Sequence, residues 1–189
     1  MPTYPDAPRL DLVDDRHGRA VPDPYRYLED PSDERTVAWS QAQHTLLEDE
    51  RATWTTAEHW RTRVTELVAA GGIGVPIFRG DRRFFMRRDP DQQFSVLWTV
   101  DPDGTERVLL DPMAIDPTGR TTLDTWQPSK EGHLLAYQLS EGGTEESVLR
   151  VMDIATGEIV DGPIDRARYS PVAWLPGAEA YYYVRRLDP

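Results

Sequence analysis

The chain has 189 residues, room for one domain or two small ones. Its 33 acidic and 21 basic residues leave a formal net charge of −12, which argues against nucleic acid and anionic membrane surfaces, since both select a basic face. The absence of cysteine excludes disulfides and thiolate metal sites, while 6 Trp and 8 Tyr within a 39% hydrophobic composition argue for a packed core.

The acidic start, MPTYPDAPRLDLVDD, has neither a basic leading segment nor an apolar stretch, so no secretory signal is expected. No run of about 18 apolar residues follows anywhere, and a cytoplasmic location is the expectation. Across residues 1–31, Pro2, Pro5, Pro8, Pro22, Pro24 and Pro31 remove backbone donors and fix φ, which predicts neither helix nor sheet. Tyr4, Leu10, Leu12, Val13, Val21, Tyr25, Tyr27 and Leu28 recur through the same stretch. It therefore reads as an extended arm lying on another surface, with one helical turn over 25–29. Ser32 is placed to cap a first helix, with Asp33 and Glu34 at its positive end and Trp39, Ala42, Leu46 and Leu47 along it, running to about Trp54. Thr55 and Glu58 form a capping-box pattern for a second helix. Its stripe is Trp60, Val64, Leu67 and Val68, and Gly71-Gly72 stops it.

After Gly74 the apolar period changes from helical to alternating. Strand-like runs occur at Val75–Arg79, Arg82–Arg88, Phe94–Val100 and Glu106–Leu110. A second group follows at Leu123–Gln127, His133–Leu139, Ser147–Ile154 and Glu158–Val160, and a third begins at Tyr169–Leu175 and Ala180–Arg186. The tight turns Asp101-Pro102-Asp103-Gly104 and Asp153-Ile154-Ala155-Thr156-Gly157 sit at corresponding places. Trp126-x-Pro128-x-x-Glu131 recurs as Trp174-x-Pro176-x-x-Glu179, an offset of 48 positions. A four-strand unit recurring every ~40–50 residues predicts β-propeller blades. The fold class is thus mainly β with N-terminal α-helices: an incomplete β-propeller of about two and a half four-stranded blades, preceded by an extended arm and two helices. Residues 1–72 hold the arm and helices, and 73–189 hold the partial propeller, truncated in its third blade. A propeller closes with roughly four to eight blades. The 180–184 strand, ending shortly before Asp188-Pro189, would be left as an apolar edge. The expectation is therefore the front part of a longer polypeptide. The arginine-rich run Arg79, Arg82, Arg83, Arg87 and Arg88 reads as the solvated face of a strand pair.

Several strings resemble the prolyl oligopeptidase family of serine peptidases at its N-terminus. They are Asp14-Asp15-Arg16-His17-Gly18, then Asp23-Pro24-Tyr25-Arg26-Tyr27-Leu28-Glu29-Asp30-Pro31, then a helix with Trp39 and Gln41-Ala42-Gln43. The likeness continues through Leu110-Asp111-Pro112, Ala136-Tyr137 and Tyr169-Ser170-Pro171-Val172-Ala173-Trp174. Arg16 stands where the family usually has an aromatic residue, and Tyr27 where it usually has Trp. The resemblance implies a two-domain enzyme. Residues 1–72 would pack on an α/β-hydrolase domain completed by the C-terminal part of the same polypeptide, and a propeller would cap the active site and admit short peptides. Cleavage would follow proline; the branch that cuts after basic residues is similar at this end. Tyr169 matches a propeller aromatic that lines the substrate pocket, and Glu145, in the loop Gly142-Gly143-Thr144-Glu145-Glu146, is the second substrate-binding candidate.

The family's chemistry needs a nucleophilic serine on a Gly-x-Ser-x-Gly elbow, oriented with Asp and His. Ser32, Ser40, Ser95, Ser129, Ser140, Ser147 and Ser170 all lack that frame. His17, His44, His59 and His133 are isolated from one another in sequence. No catalytic residue is therefore assigned, and these 189 residues are expected to be inactive alone. The acidic turn 101–106 lacks the further oxygen ligands of a calcium loop, and Gly71–Gly74 lacks the Lys-Ser/Thr of a phosphate loop. No metal or cofactor is expected. Expected partners are short peptides and the hydrolase part of the polypeptide, with neither nucleic acid nor membrane. The alternative function is a non-catalytic propeller-and-arm fragment that binds or complements a partner.

Overall fold

The computed structural model describes residues 2–187. The Asp188-Pro189 end, where the third group of strands was expected to break off, lies outside the described residues. The chain divides into two compact units, Met1–Val64 and Thr65–Pro189.

In the first unit, β1 (Val13–Arg16) and β2 (Arg19–Pro22) form an antiparallel hairpin. This corrects the expectation of no sheet within 1–31. The prolines bracket the hairpin rather than interrupt it: Pro22 closes β2, and flanking backbone bonds from Leu10 to Pro24 O (3.0 Å) and from Asp23 to Leu12 O (2.8 Å) continue the pairing. Its two-residue turn is His17-Gly18, both with positive φ (55° and 79°), the backbone hand that a tight hairpin of twisted strands requires. The Gly18 amide donates to Asp15 Oδ1 at 2.7 Å. A 3-10 turn spans Arg26–Glu29, where one helical turn was expected.

The charged residues of this arm are used locally. Arg26 bonds both Asp14 and Asp23, and its guanidinium holds the Asp14 carboxyl below the usual carboxylate range. Helix α1 (Glu34–Arg51) ends three residues before the expected Trp54, and its cap is Asp33, which accepts from the Arg35 amide at 2.9 Å. Ser32, the expected cap, instead donates its amide and hydroxyl to Asp30 Oδ1. Arg35 also bonds the Asp33 side chain and lowers its pKa to about 2. Tyr27 is buried; its carbonyl accepts from Thr36 Oγ1 at 2.6 Å, and the Arg35 guanidinium lies 4.7 Å from its ring centroid. Helix α2 (Ala57–Val68) buries none of its residues, and its stripe of Trp60, Val64, Leu67 and Val68 is exposed. No helix among the described residues is long and apolar enough to cross a membrane.

The second unit is built from antiparallel meanders. The first sheet contains β3 (Gly72–Ile73), β4 (Ile77–Arg79), β5 (Arg82–Arg88), β6 (Val96–Val100) and β7 (Glu106–Leu110). β3 and β4 both pair with β5, so one strand position is shared by two short segments. Pro76 lies in the gap between them and has no N–H for the ladder. Helix α3 (Pro112–Ile115), capped by Asp111, leads into the second sheet, a four-strand meander of β8 (Thr121–Pro128), β9 (Leu134–Glu141), β10 (Val148–Asp153) and β11 (Ile159–Ile164). The third has, among the described residues, only β12 (Ala173–Trp174) and β13 (Tyr181–Tyr182), paired antiparallel with two residues each. The sheets are blades of an incomplete β-propeller, with no closed ring among the described residues.

Alternation in β9 makes the middle blade two-faced. Leu135 and Tyr137 join Phe84, Leu97, Leu110, Met152 and Ile154 in one core, while Ala136 joins Leu149, Val151, Ala167, Trp174 and Ala178 in the other. One end of the blades carries tight turns that touch backbone to backbone. The Gly80 amide donates to Lys130 O at 3.1 Å, and a Cβ on Gly80 would lie 2.2 Å from Glu131 O. Gly132 is the reciprocal position: a Cβ there would lie 2.3 Å from Arg79 O. Glu131, from the repeated Trp-x-Pro-x-x-Glu motif, accepts from the Gly177 amide of the next blade at 2.7 Å, and Trp174 Nε1 donates back to Gln127 O at 3.0 Å. At the same end Asp101 accepts from Arg82 (2.8 Å) and Arg107 (2.6 Å), while those arginines also reach Gly132 O and Ile154 O of the second blade.

Gly80→Ala, which meets both a positive φ and a backbone oxygen, is expected to lower stability by about 1–3 kcal/mol in urea unfolding. Gly104→Ala has positive φ but open space, and should cost less. Arg107, then Arg82, lower the Asp101 pKa. Its contribution is therefore full above the ordinary carboxylate range near about pH 4 and is lost as pH falls through the lowered folded value. Asp101→Ala should remove about 1–3 kcal/mol at neutral pH and flatten the acid limb of the stability curve.

Candidate functional site

The meander topology sorts connections by length. The tight turns lie at the end just described, whereas the longer connections β5–β6, β7–β8, β9–β10 and β11–β12 lie at the opposite end. Loops released from ladder bonding are where binding groups are most readily displayed. Both sequence-derived site residues fall at this end: Glu145 in the β9–β10 loop and Tyr169 in the β11–β12 loop.

The structure brings them together. The Tyr169 hydroxyl donates to Glu145 Oε2 at 2.6 Å. Arg168 pairs with the same carboxylate oxygen, and its guanidinium carbon lies 4.9 Å from the Tyr169 ring centroid. Contacts with the Tyr169 oxygen and then with Glu145 and Glu146 push the Arg168 pKa up. The loops are also tied by backbone, Ala167 N to Ser147 O at 3.0 Å, and Ser147 Oγ is anchored on Asp124 at 2.6 Å. Glu145 (φ 58°) and Tyr169 (φ 55°) both adopt the left-handed region, at a cost of about 1–3 kcal/mol for each non-glycine residue. Tyr169 is 76% exposed despite this constraint, so its ring is held without being covered.

Arg168 was not singled out from sequence, nor was the neighbouring pair of Arg186 with Glu146. The available signal was adjacency: Arg168 precedes Tyr169, and both acidic partners stand side by side in a glycine-led loop. The partners are 23 and 40 residues apart, a spacing set by loop closure and not by any strand or helix period.

Other sequence features are used structurally. In the arginine-rich run, Arg82 is held by Asp101, Arg87 lies 3.7 Å from the Trp98 ring centroid, and Arg88 bonds Gln92 O at 3.2 Å. The 101–106 turn spends the Asp101 oxygens on two guanidinium groups, while Asp103 accepts from the Thr105 amide. Among the described residues, no three His, Asp or Glu side chains converge as a metal site. The histidines lie on separate elements, His17 in the β1–β2 turn, His44 on α1, His59 on α2 and His133 before β9.

Residues 5–189 match a family profile described as prolyl oligopeptidase, N-terminal beta-propeller domain. Two curated relatives, prolyl endopeptidases of Elizabethkingia miricola and Elizabethkingia meningoseptica, are each 31% identical over 180 residues, 95% of this chain and 25% of theirs. The chain thus spans about a quarter of the length of the curated relatives it matches. A structure from a mechanistic study of two prolyl endopeptidases superposes with a TM-score of 0.83 at 31% identity, over 96% of this chain and 27% of that one. Prolyl oligopeptidase B from Galerina marginata, bound to a 35mer substrate, shares the fold with a TM-score of 0.75 at 20% identity, over 97% of this chain and 29% of that one.

Proposed function

Because the chain belongs to the prolyl oligopeptidase family, we propose that it serves as the N-terminal portion of a serine peptidase that hydrolyses short peptides after proline. The nucleophile, its histidine and its carboxylate belong to a C-terminal α/β-hydrolase portion of the same polypeptide. Residues 1–72 pack on that portion, and residues 73–189 form the first part of the capping propeller. The observation that supports this most directly is the family match across 5–189, which runs through both the arm and the blades.

Two surface features support the same reading. The exposed α2 stripe of Trp60, Val64, Leu67 and Val68 is an apolar helix face of the kind that docks on another domain. A cleft of about 590 Å³ runs beside β13, walled by Val151, Val160, Trp174, Tyr181 and Tyr183. It suits a third strand of the last blade. Within the assembled enzyme, Tyr169 provides an apolar wall with a polar tip for the peptide, and Glu145 stands beside it as part of the substrate site.

The test is a comparison of the 189-residue chain with a polypeptide that carries it together with the hydrolase portion. The chain alone should neither react with a fluorophosphonate probe nor cleave peptides. The joined polypeptide should do both, cutting after proline. Cleavage after lysine or arginine, or labelling of the isolated chain, would overturn the proposal. In the joined polypeptide Tyr169→Ala should raise KM for peptides of four or more residues by about tenfold, the equivalent of losing about 1.4 kcal/mol of binding, with little change in kcat.

A further inference from the structure

We propose that Glu145 is a positioning residue for Tyr169: its carboxylate fixes the exposed ring as a one-sided platform for an uncharged, apolar residue of the peptide, and does not touch the peptide itself. This rests on the reading of Tyr169 as a wall of the substrate site.

The geometry assigns the carboxylate's capacity to the protein. Glu145 Oε2 accepts from the Tyr169 hydroxyl at 2.6 Å and also receives the Arg168 guanidinium. A hydroxyl bonded to an ionised acceptor makes a stronger link than a neutral pair, so this contact restrains the ring's orientation. Glu146, the other acidic side chain of the loop, pairs with Arg186. The negative charges that would attract a basic residue are thus matched by Arg168 and Arg186. Arg168 also lies over the Tyr169 ring, 4.9 Å from its centroid. One ring face is therefore occupied by a cation, and with 76% of the residue exposed the other is left for a ligand. With the Arg168 guanidinium already on the opposite face to repel a second cation, and no unmatched carboxylate beside the ring, the free face favours an apolar side chain over lysine or arginine.

Restraint also bears on affinity. An exposed tyrosine that rotates freely must be ordered when a ligand arrives, and that ordering weakens binding. Here the ordering is done beforehand. The left-handed backbone at both Glu145 and Tyr169 is the conformation in which the two side chains meet across the loops.

The anchor is tested on the 189-residue chain carrying ¹³C-labelled tyrosine, with Tyr169→Phe assigning the Tyr169 resonances. Glu145→Ala should shift and average the Tyr169 ring signals and leave those of Tyr137 and Tyr181 in place. Glu145→Gln, which keeps an acceptor oxygen, should retain most of the wild-type pattern. Unmoved Tyr169 signals in Glu145→Ala would overturn the proposal. In the polypeptide that includes the hydrolase portion, Glu145→Ala and Tyr169→Phe should each raise KM about three- to tenfold, the range of one hydrogen bond. Their double variant should be no worse than either alone, with kcat within about twofold throughout. An additive double variant, or a KM effect in Glu145→Ala without one in Tyr169→Phe, would mean that Glu145 contacts the peptide directly and would also overturn it. If Tyr169→Ala leaves KM unchanged, the substrate-wall reading fails, and the ring signals still decide whether Glu145 anchors Tyr169.

Discussion

The closest constraint in the propeller part is the approach of one blade's turn to the next blade's backbone. Gly80 and Gly132 face each other across that seam, each standing where a Cβ would enter the other strand's carbonyl. The seam sets the spacing of the first two blades, and the spacing determines which side chains fill the core between them. Phe84 and Leu97 from one sheet and Leu135, Tyr137 and Met152 from the other interdigitate because the sheets are held at that separation. Between the second and third blades the small residues Ala136, Ala167 and Ala178 pack against Trp174, and the seam is made by Glu131 reaching the Gly177 amide. The repeated Trp-x-Pro-x-x-Glu motif thus has a mechanical meaning. Trp174 of the second copy reaches back to the previous blade, and Glu131 of the first copy reaches forward to the next.

Electrostatics follows the same division between the two ends. At the tight-turn end the ion pairs are half-buried and shared, with Asp101 serving two arginines that extend to carbonyls of the neighbouring blade. Such an arrangement links the blades through hydrogen bonds with fixed direction, and arginine's planar fork suits it. At the loop end the pairs are more exposed and hold side chains, not sheets: Arg168 with Glu145, Arg186 with Glu146. Exposed pairs of this kind add little to stability. The Arg168–Glu145 pair bears instead on where Tyr169 stands.

Much of this was legible in the residues. Uninterrupted strand-like runs bounded by turn residues locate β5 and β7 to the residue. Asp–Gly turns and the 48-residue repeat identified the blades. The hairpin at Val13–Pro22 is hidden in the sequence, because prolines that flank a ladder look the same there as prolines that interrupt one. Ser32 and Asp33 both have capping side chains, and Asp33 takes the role because the Asp30 carboxylate occupies the serine, a detail of the turn that the sequence does not display. The two site residues were named from family likeness. Their mutual hydrogen bond, and the part of Arg168, depend on loop closure between segments more than 20 residues apart, which leaves no periodic trace in sequence.

The two-faced strand β9 has an evolutionary corollary. Its odd and even positions serve different cores, one built around Phe84, Leu97 and Tyr137 and the other around Trp174, Leu149 and three alanines. Inserting or deleting a single residue there would swap the two sets at once and spoil both. The connections at the open end carry no such burden, since lengthening them disturbs no ladder. Lineages sharing this scaffold are thus free to diversify by editing those connections while the interior stays frozen.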